Sequence, residues 1–432
     1  MIVTCAVLLF QGWRLTRFLW DNAVSLLYRD QWDFYNPLFQ HASWWQTFVY
    51  QHGPHREGIG LILDRIVLEA TSWNARSEAL LMAGSLFLAA IAFLWLKKKL
   101  VGEISYSDVI IPCLVMTFSQ MEALTVAPNP SYSAVPKLLI ALYCLAWLVS
   151  PLVFSYGLVL LTNFLLIYTG FGIFMGPITV ALFGIEVLHA LRNQRSLVPA
   201  TTALLVAGLS LASFFHHYRW DPAVSCFVFP DPHPWKYAWF LSLAFSYFLN
   251  IFSPHSVRLA TVLGGFLAGV MLGVLFWHGV RQFVARERSV VDRVIVALAG
   301  FSLLFLCDAA VGRVCMGMPE AAQTSRYMGL LIPAFLGLYF HLLTRPESGL
   351  RTLCIWAFVL ILIPSTLKAP RQYLNDLNGS KRAWIQCMVR ENDMDGCDRD
   401  TKFMPYPDPP ATHMREKLDF LKRNRLNLYS GQ

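Results

Sequence analysis

Long apolar runs separated by short polar segments dominate the hydrophobic pattern of this 432-residue chain. The runs are about 17–22 residues long, and each is long enough to cross a hydrocarbon core of ~30 Å as a helix. The pattern therefore predicts an all-α polytopic membrane protein with about eleven transmembrane helices. We place the crossings at residues 1–19, 78–96, 108–124, 134–150, 152–168, 172–190, 198–215, 258–280, 294–310, 328–344 and 352–367.

The basic residues predict how these crossings are oriented. Lys and Arg gather in the loops that follow every second crossing, at 97–99, 192–195, 281–293 and 344–351. Basic loops are typical of the cytoplasmic side of a membrane. We therefore expect the N-terminus in the cytoplasm and the tail from residue 368 on the outer side.

Two segments fit this scheme less directly. The segment 234–252 is apolar enough to span, but counting it as a crossing would turn the basic loop at 281–293 outward. We interpret it as an aromatic-rich helix lying in the outer interface. The first crossing contains Arg14 and Arg17. Either these side chains snorkel or the start codon is misassigned, and no cleavable signal peptide is evident.

Composition supports a membrane protein and gives no indication of nucleic-acid binding. The chain is 56% hydrophobic and 14% charged, with a mean hydropathy of +0.48, whereas soluble proteins carry about a quarter charged residues. In a polytopic membrane protein, basic residues report orientation. The net charge of +8 therefore does not indicate a nucleic-acid partner, and none is expected.

The predicted topology gives a transmembrane domain, residues 1–367, with long segments only on the outer side. These segments are a first loop at 20–77, a middle interfacial loop at 216–257 and a C-terminal tail at 368–432. The cytoplasmic loops are short. Any chemistry is therefore expected on the outer face.

Three of the nine cysteines, Cys226, Cys387 and Cys397, lie in these outward segments, and Cys315 lies in the outward loop between the crossings at 294–310 and 328–344. Cys387 and Cys397 are ten residues apart in the polar tail, and in an oxidising compartment we expect them to form a local disulfide. Cys226 and Cys315 lie in two different outward loops and could also pair. No spacing is typical of a zinc site.

The first loop concentrates acidic, basic and imidazole side chains. Two short stretches, RDQWDF at 29–34 and QHGPHREG at 51–58, supply Asp30, Asp33, His52, His55, Arg56 and Glu57. A carboxylate beside a hydroxyl can act as a general base, and arginine is suited to phosphate oxygens. The alternative is that the two aspartates are solvated loop acids or a helix cap at the membrane surface.

Two further clusters lie at the outer ends of predicted crossings. The stretch FFHHYRWDP, 214–222, contains His217, Arg219 and Asp221, although His and Tyr also occur in ordinary interfacial belts. The stretch 307–329 contains Asp308, and it supplies Arg313, Arg326 and Tyr327. Arginine at a helix start is not stabilised by the helix dipole, so Arg326 is a candidate for binding an anion. An Asp308–Arg ion pair between two helices is the alternative.

Several of these stretches resemble motifs of bacterial membrane glycosyltransferases of the GT-C superfamily. RDQWDF, 29–34, resembles the acidic motif of their first outward loop. QHGPHR, 51–56, is similar to the following His-Arg motif, usually QHNEHR, with GP in place of NE. GRVCMGMPEAAQTSRY, 312–327, resembles a later motif, and the ending from YPDPP to EKLDFLKRNRLNLYS resembles the family's ending.

The resemblance implies a chemistry. The donor would be a sugar on a polyprenyl phosphate, and the acceptor would be a periplasmic glycan, lipid or protein. Asp30 or Asp33 would be the general base, with Asp30 favoured. Arg56, Arg313 and Arg326 would stabilise the lipid phosphate as it leaves, and inversion at the anomeric carbon is expected.

The resemblance also implies a location: the bacterial inner membrane, with membrane lipids as surroundings and a periplasmic tail. No cofactor is expected. A divalent metal bound by Asp30, Asp33 and Glu57 is the minority alternative.

Other functional classes remain open from the sequence. A transporter or flippase for lipid-linked sugars would be expected to place ionisable residues near mid-membrane. An O-antigen polymerase or ligase typically has arginine-rich outer loops without an acidic first-loop motif. The replacement of NE by GP also leaves open a member that binds lipid-linked sugars without catalysis.

Overall fold

The structure is a computed structural model that describes residues 1–220, 224–249, 251, 256–285, 288–368 and 371–430. These residues are mostly helical, with one two-stranded hairpin of β1 (Gln51–His52) and β2 (His55–Arg56). The α-helices in chain order are α1 (Ile2–Asn22), α2 (Gln31–Phe34), α3 (Asn36–Phe39), α4 (Trp44–Val49), α5 (Gly58–Ala70), α6 (Ala75–Val101), α7 (Ile110–Val115), α8 (Ala134–Ala146), α9 (Leu152–Ile167), α10 (Met175–Arg192), α11 (Val198–Phe214), α12 (Trp235–Tyr247), α13 (Val257–Val284), α14 (Val290–Arg313), α15 (Ser325–Leu343), α16 (Gly349–Leu367), α17 (Arg371–Glu391), α18 (Met394–Thr401) and α19 (Met414–Arg423).

Within the described ranges, seven helical segments are long and apolar enough to cross a membrane; they contain α1, α6, α10, α13, α14, α15 and α16. Three other predicted crossings are shorter apolar helices, namely α8, α9 and α11. The structure thus agrees with an all-α polytopic membrane protein. The count of eleven crossings stays a prediction.

The predicted crossing at 108–124 is not a continuous helix. It begins as a 3-10 turn at Tyr106–Val109, continues as α7, breaks after Val115, and resumes as a 3-10 turn at Phe118–Gln120 and a π-helix at Glu122–Val126. Irregular backbone is tolerated at membrane depth only where protein surrounds it. Here the whole stretch from Ser107 to Gln120 is buried or half-buried, and the side chain of Gln120 donates to the Val115 carbonyl at 3.0 Å.

The apolar segment predicted to lie in the outer interface forms helix α12. Its 13 residues span about 20 Å at 1.5 Å per residue, which is shorter than a hydrocarbon core. Phe240 contacts Tyr327, and Phe248, which follows the helix, contacts Phe335. Both contacts advance by eight residues, so α12 runs alongside α15 in the same direction and is packed into the bundle.

The basic loops meet at one end of the helical bundle, here called the basic end. Arg192 donates to the Phe283 carbonyl at 2.5 Å, and His278 lies 2.8 Å from His341. Three buried carboxylates at this end each have a basic partner, in the pairs Lys97–Asp108 at 2.9 Å, Arg288–Glu186 at 3.0 Å and His278–Asp292 at 2.5 Å. Buried charges are stable only when paired, so these pairs are consistent with a structural role.

The first loop and the C-terminal tail form a joint layer at the opposite end, here called the tail end. They share one apolar cluster, in which Trp32 and Trp73 of the loop lie with Trp384 and Leu421 of the tail. The main-chain N–H of Arg29 donates to Pro405 at 2.7 Å. The tail is therefore packed against the loop that contains the two aspartates.

Both disulfides considered from the sequence are present. Cys387 is bonded to Cys397, which closes a short loop in the tail. Cys226 is bonded to Cys315, which joins the middle loop to the loop before α15. The prediction of the local disulfide is confirmed, and the open possibility of the second pair is realised.

Candidate functional site

The β-hairpin explains why the first-loop motif has Gly-Pro at its centre. His52 and His55 pair across the hairpin, with Gly53 and Pro54 forming the two-residue turn. Gly53 has a φ of +55°, a conformation that favours glycine. The two imidazole rings consequently lie close together, with centroids 5.8 Å apart.

Arg56, expected to bind phosphate, is instead surrounded by main-chain carbonyls. Its guanidinium donates to Phe214 through both Nε (3.0 Å) and Nη2 (2.8 Å), to His216 at 2.7 Å and also to Val49. The residue is 5% exposed. These contacts occupy four of the five N–H donors of the guanidinium, so this side chain anchors the hairpin to the end of α11.

Asp33 is held by the C-terminal tail. Its carboxylate accepts hydrogen bonds from Tyr406 at 2.7 Å and Thr412 at 2.5 Å, and Lys417 lies 3.6 Å away. The Lys417 ammonium also donates to the Trp32 carbonyl at 2.5 Å. Since these partners use both carboxylate oxygens, Asp33 has the environment of a docking residue.

Asp30 has a different environment. It occupies the N-cap position of α2, but its side chain makes no capping hydrogen bond, so it is not the helix cap considered above. Asp30 is half-buried, and its carboxylate accepts no hydrogen bond from any residue that the structure describes. Its charge acts on His52, Tyr132 and Arg326, which places it among the other candidates.

The two arginines near α15 are paired differently. Arg326 donates to Glu122 Oε1 through Nε (3.0 Å) and Nη2 (2.6 Å), and Thr324 donates to the second oxygen at 2.8 Å. Arg313 has no ion pair within the described ranges, where its one hydrogen bond is to Met316 Sδ at 3.4 Å. The charge of Arg313 acts on His55 and Tyr327. The alternative of an Asp308–Arg ion pair is therefore not observed among the described residues.

Tyr327 lies in the wall of this region. It is 5% exposed, and its ring packs edge-on against Phe305, with the centroids 5.7 Å apart. The Tyr327 ring thus contributes a packing surface to the wall of the candidate site.

His217 and Arg219 lie at the edge of the site, and both are exposed. Gln51 of the hairpin holds the backbone of Arg219 through two hydrogen bonds, at 2.8 and 2.9 Å. The structure thus ties this segment to the first loop, but it gives neither side chain a contact with Asp30. Asp221 of the same cluster lies outside the described residues.

Glu57 is buried and accepts hydrogen bonds from two residues that the sequence analysis did not select. Tyr132 Oη donates to Glu57 Oε1 at 3.0 Å and contacts His55 Nε2, and Asn129 donates to Glu57 Oε2 at 3.2 Å. Burial raises the pKa of Glu57 to about 7. Burial also holds the pKa of His55 well below its usual range. Both residues lie in the stretch APNPSYSAVP, 127–136, whose sequence predicts only a Pro-rich turn.

The structure does not bring together the three acids of the metal alternative. Asp33 faces the tail, and Glu57 is fully buried beside Asn129 and Tyr132. Among the described residues, one group of possible ligands lies within 4.8 Å, Cys387, Glu391 and Cys397. The two cysteines are joined in a disulfide, so they cannot supply thiolate ligands.

Comparison with known proteins gives no further constraint. No protein-family model, no curated protein and no solved structure matches this chain. Any functional assignment therefore depends on the side chains at the tail end and on the motifs quoted above.

Proposed function

We propose that this protein is a membrane glycosyltransferase that moves a sugar from a polyprenyl-phosphate donor to an acceptor hydroxyl on the outer side of the membrane, with Asp30 as general base. One observation carries the proposal. The Asp30 carboxylate is half-buried and has no hydrogen-bond donor among the described residues, although it lies near Arg326. A half-buried carboxylate without a partner is available for a substrate hydroxyl.

The proposed step balances without a cofactor. The acceptor oxygen forms a bond to the anomeric carbon while its proton passes to Asp30, and the bond from that carbon to the phosphate oxygen breaks. The lipid phosphate leaves with the bonding electron pair, so negative charge develops on it. Fixed positive groups at that position would lower the barrier.

The ion pairing suggests different roles for the two arginines. Arg326 shares its charge with Glu122, so it contributes a nearly neutral, well-oriented pair beside Asp30. Arg313 has no carboxylate within ion-pair distance in the described part of the chain. We therefore assign Arg313 to the donor phosphate and Arg326 to the alignment of the site.

A surface enzyme fits the distribution of charge better than a transporter does. The buried ion pairs described above lie at the basic end, and the candidate site lies at the tail end. A transport pathway would be expected to place such groups near mid-membrane. With the basic end assigned to the cytoplasm, the candidate site faces the periplasm of a bacterial inner membrane.

Deletion and complementation test the proposal. The gene is deleted in the source organism and restored on a plasmid, and the surface glycans and lipid-linked sugars of each strain are compared by mass spectrometry. We expect the deletion to remove one sugar from a glycan and to accumulate its lipid-linked form. An unchanged glycan profile, with wild-type levels of lipid-linked sugars, would argue against the assignment.

A further inference from the structure

His55, Tyr132 and Glu57 form a hydrogen-bonded row, and one ring nitrogen of His55 in this row has no partner among the described residues. His55 is 6% exposed, and its Nε2 contacts Tyr132. Its Nδ1 is buried and has no hydrogen-bond partner among the described residues. Buried polar atoms are nearly always paired, so an open buried nitrogen in this place needs a reason.

We propose that Glu57 and Tyr132 set the tautomer of His55, so that Nδ1 presents a lone pair to a hydroxyl group of the bound sugar substrate. The proposal rests on the proposed function and adds to it a positioning pair and a substrate-contacting nitrogen. It concerns binding of a hydroxyl, and the transfer step assigned to Asp30 is unchanged.

The direction of the hydrogen bonds carries the argument. An ionised Glu57 can only accept, so Tyr132 must donate its one proton to Glu57 Oε1. The Tyr132 oxygen can then only accept from His55 Nε2, which must carry a proton. A neutral imidazole with its proton on Nε2 has its lone pair on Nδ1.

The His55 ring is neutral, and it lies beside the candidate site. The pKa of His55 lies well below its usual range because the ring is buried, so the neutral form is present at neutral pH. The charges of His52 and Arg313 act on the ring, which places it beside the candidate site. A sugar hydroxyl, which is both donor and acceptor, suits a neutral acceptor next to an arginine.

Protonation of Glu57 would reverse the direction of the hydrogen bonds in this row. A protonated Glu57 donates to Tyr132, Tyr132 donates to Nε2, and Nδ1 becomes the donor. The groups facing Glu57 are Asn129, Ser131, Tyr132, His55 and, at longer range, Asp64 and Tyr50. Since the pKa of Glu57 is about 7, the tautomer is expected to change over the range around pH 7.

A pair of substitutions at His55 tests which nitrogen meets the substrate. Asparagine places its amide near the position of Nδ1, whereas glutamine reaches the position of Nε2. In the deletion strain, at equal membrane levels, we expect His55→Asn to restore at least tenfold more of the missing glycan than His55→Gln. Equal restoration by both variants would overturn the role of Nδ1.

A measurement on the purified protein tests the tautomer without any assay of activity. The full chain is labelled with ¹⁵N-histidine in lipid nanodiscs, and the His55 signals are assigned by their loss in His55→Gln. At about pH 9, well above the pKa of Glu57, we expect the proton on Nε2, and we expect Tyr132→Phe to abolish this preference. Tyr50→Phe is the matched control, because that hydroxyl donates to the Asp33 carbonyl and is not in the row. A proton on Nδ1 in the wild type at this pH would overturn the proposal.

Two probes then distinguish the source of the hydroxyl. The lipid-linked sugar fraction and the glycan, both purified from the deletion strain, are added separately to the labelled protein. A shifted Nδ1 signal with the first assigns the donor sugar, and a shift with the second assigns the acceptor. No shift with either probe would overturn the binding role. If the deletion leaves all glycans unchanged, the proposed function fails, and the tautomer measurement still stands.

Discussion

Replacing Asp33 with asparagine is expected to loosen the C-terminal tail while leaving the Asp30 carboxylate in place. The Asp33 oxygens accept from Tyr406 at 2.7 Å and from Thr412 at 2.5 Å, with Lys417 at 3.6 Å. An asparagine retains one acceptor oxygen and presents an NH₂ group to the other donor. Whichever way the amide turns, one donor loses its acceptor.

The magnitude follows from these contacts. A hydrogen bond to a charged group contributes about 1.5–3 kcal/mol. The lost charge opposite Lys417 adds about 0–1 kcal/mol, because the Asp33 side chain is 22% exposed and the pair is partly screened. The total of about 1.5–4 kcal/mol corresponds to an increase of roughly 10-fold to several hundred-fold in the population with an undocked tail.

Limited proteolysis measures this population. The purified protein in detergent is treated with trypsin, and cleavage in 399–423 is followed by mass spectrometry. We expect Asp33→Asn to be cleaved faster by about the factor above, and Asp30→Asn to be cleaved at the wild-type rate. Equal rates for Asp33→Asn and the wild type would refute the docking role of Asp33. Faster cleavage of Asp30→Asn would show that the two aspartates are not separated as described.

Three further outcomes follow from the same contacts. Arg56→Lys should lower the melting temperature in detergent by several degrees, because an ammonium has three donors and cannot replace the four N–H···O contacts of the guanidinium. Exposed Arg219→Lys should leave the melting temperature unchanged. The folded pKa of Glu57, about 7, exceeds its unfolded value, so the stability of the protein should fall by about 1.4 kcal/mol per pH unit as the pH rises from 4.5 to 7. Glu57→Gln should reduce this fall, and thermal melts across the range measure the difference. Cys387→Ser should speed tryptic cleavage of the tail, and cleavage at the wild-type rate would contradict this.

The fold class could be predicted because apolar run length alone identifies membrane helices. The broken segment at 106–126 could not, since its side chains are as apolar as those of a regular helix. Its irregular backbone depends on surrounding protein that the sequence does not display. The short helix α12 shows the same limit, because composition indicated enough apolar residues to span and packing decided its length.

The candidate site was predictable in its motifs and less so in its roles. The motif RDQWDF contains both Asp30 and Asp33, with Asp30 favoured only by the resemblance, and their different environments come from the tail, 373 residues away along the chain at Tyr406. Likewise, Arg56 meets carbonyls 158 and 160 residues away. Such partners are set by tertiary packing, so a single sequence cannot assign them.

The most direct test of the account is the activity of Asp30→Asn in the deletion strain. The variant keeps the size of the side chain and removes the basic oxygen, and exposed Asp21→Asn is the matched control. At membrane levels equal to the wild type, we expect Asp30→Asn to leave the glycan without its sugar and Asp21→Asn to restore it fully. Full restoration by Asp30→Asn would contradict the assignment of Asp30 as the general base.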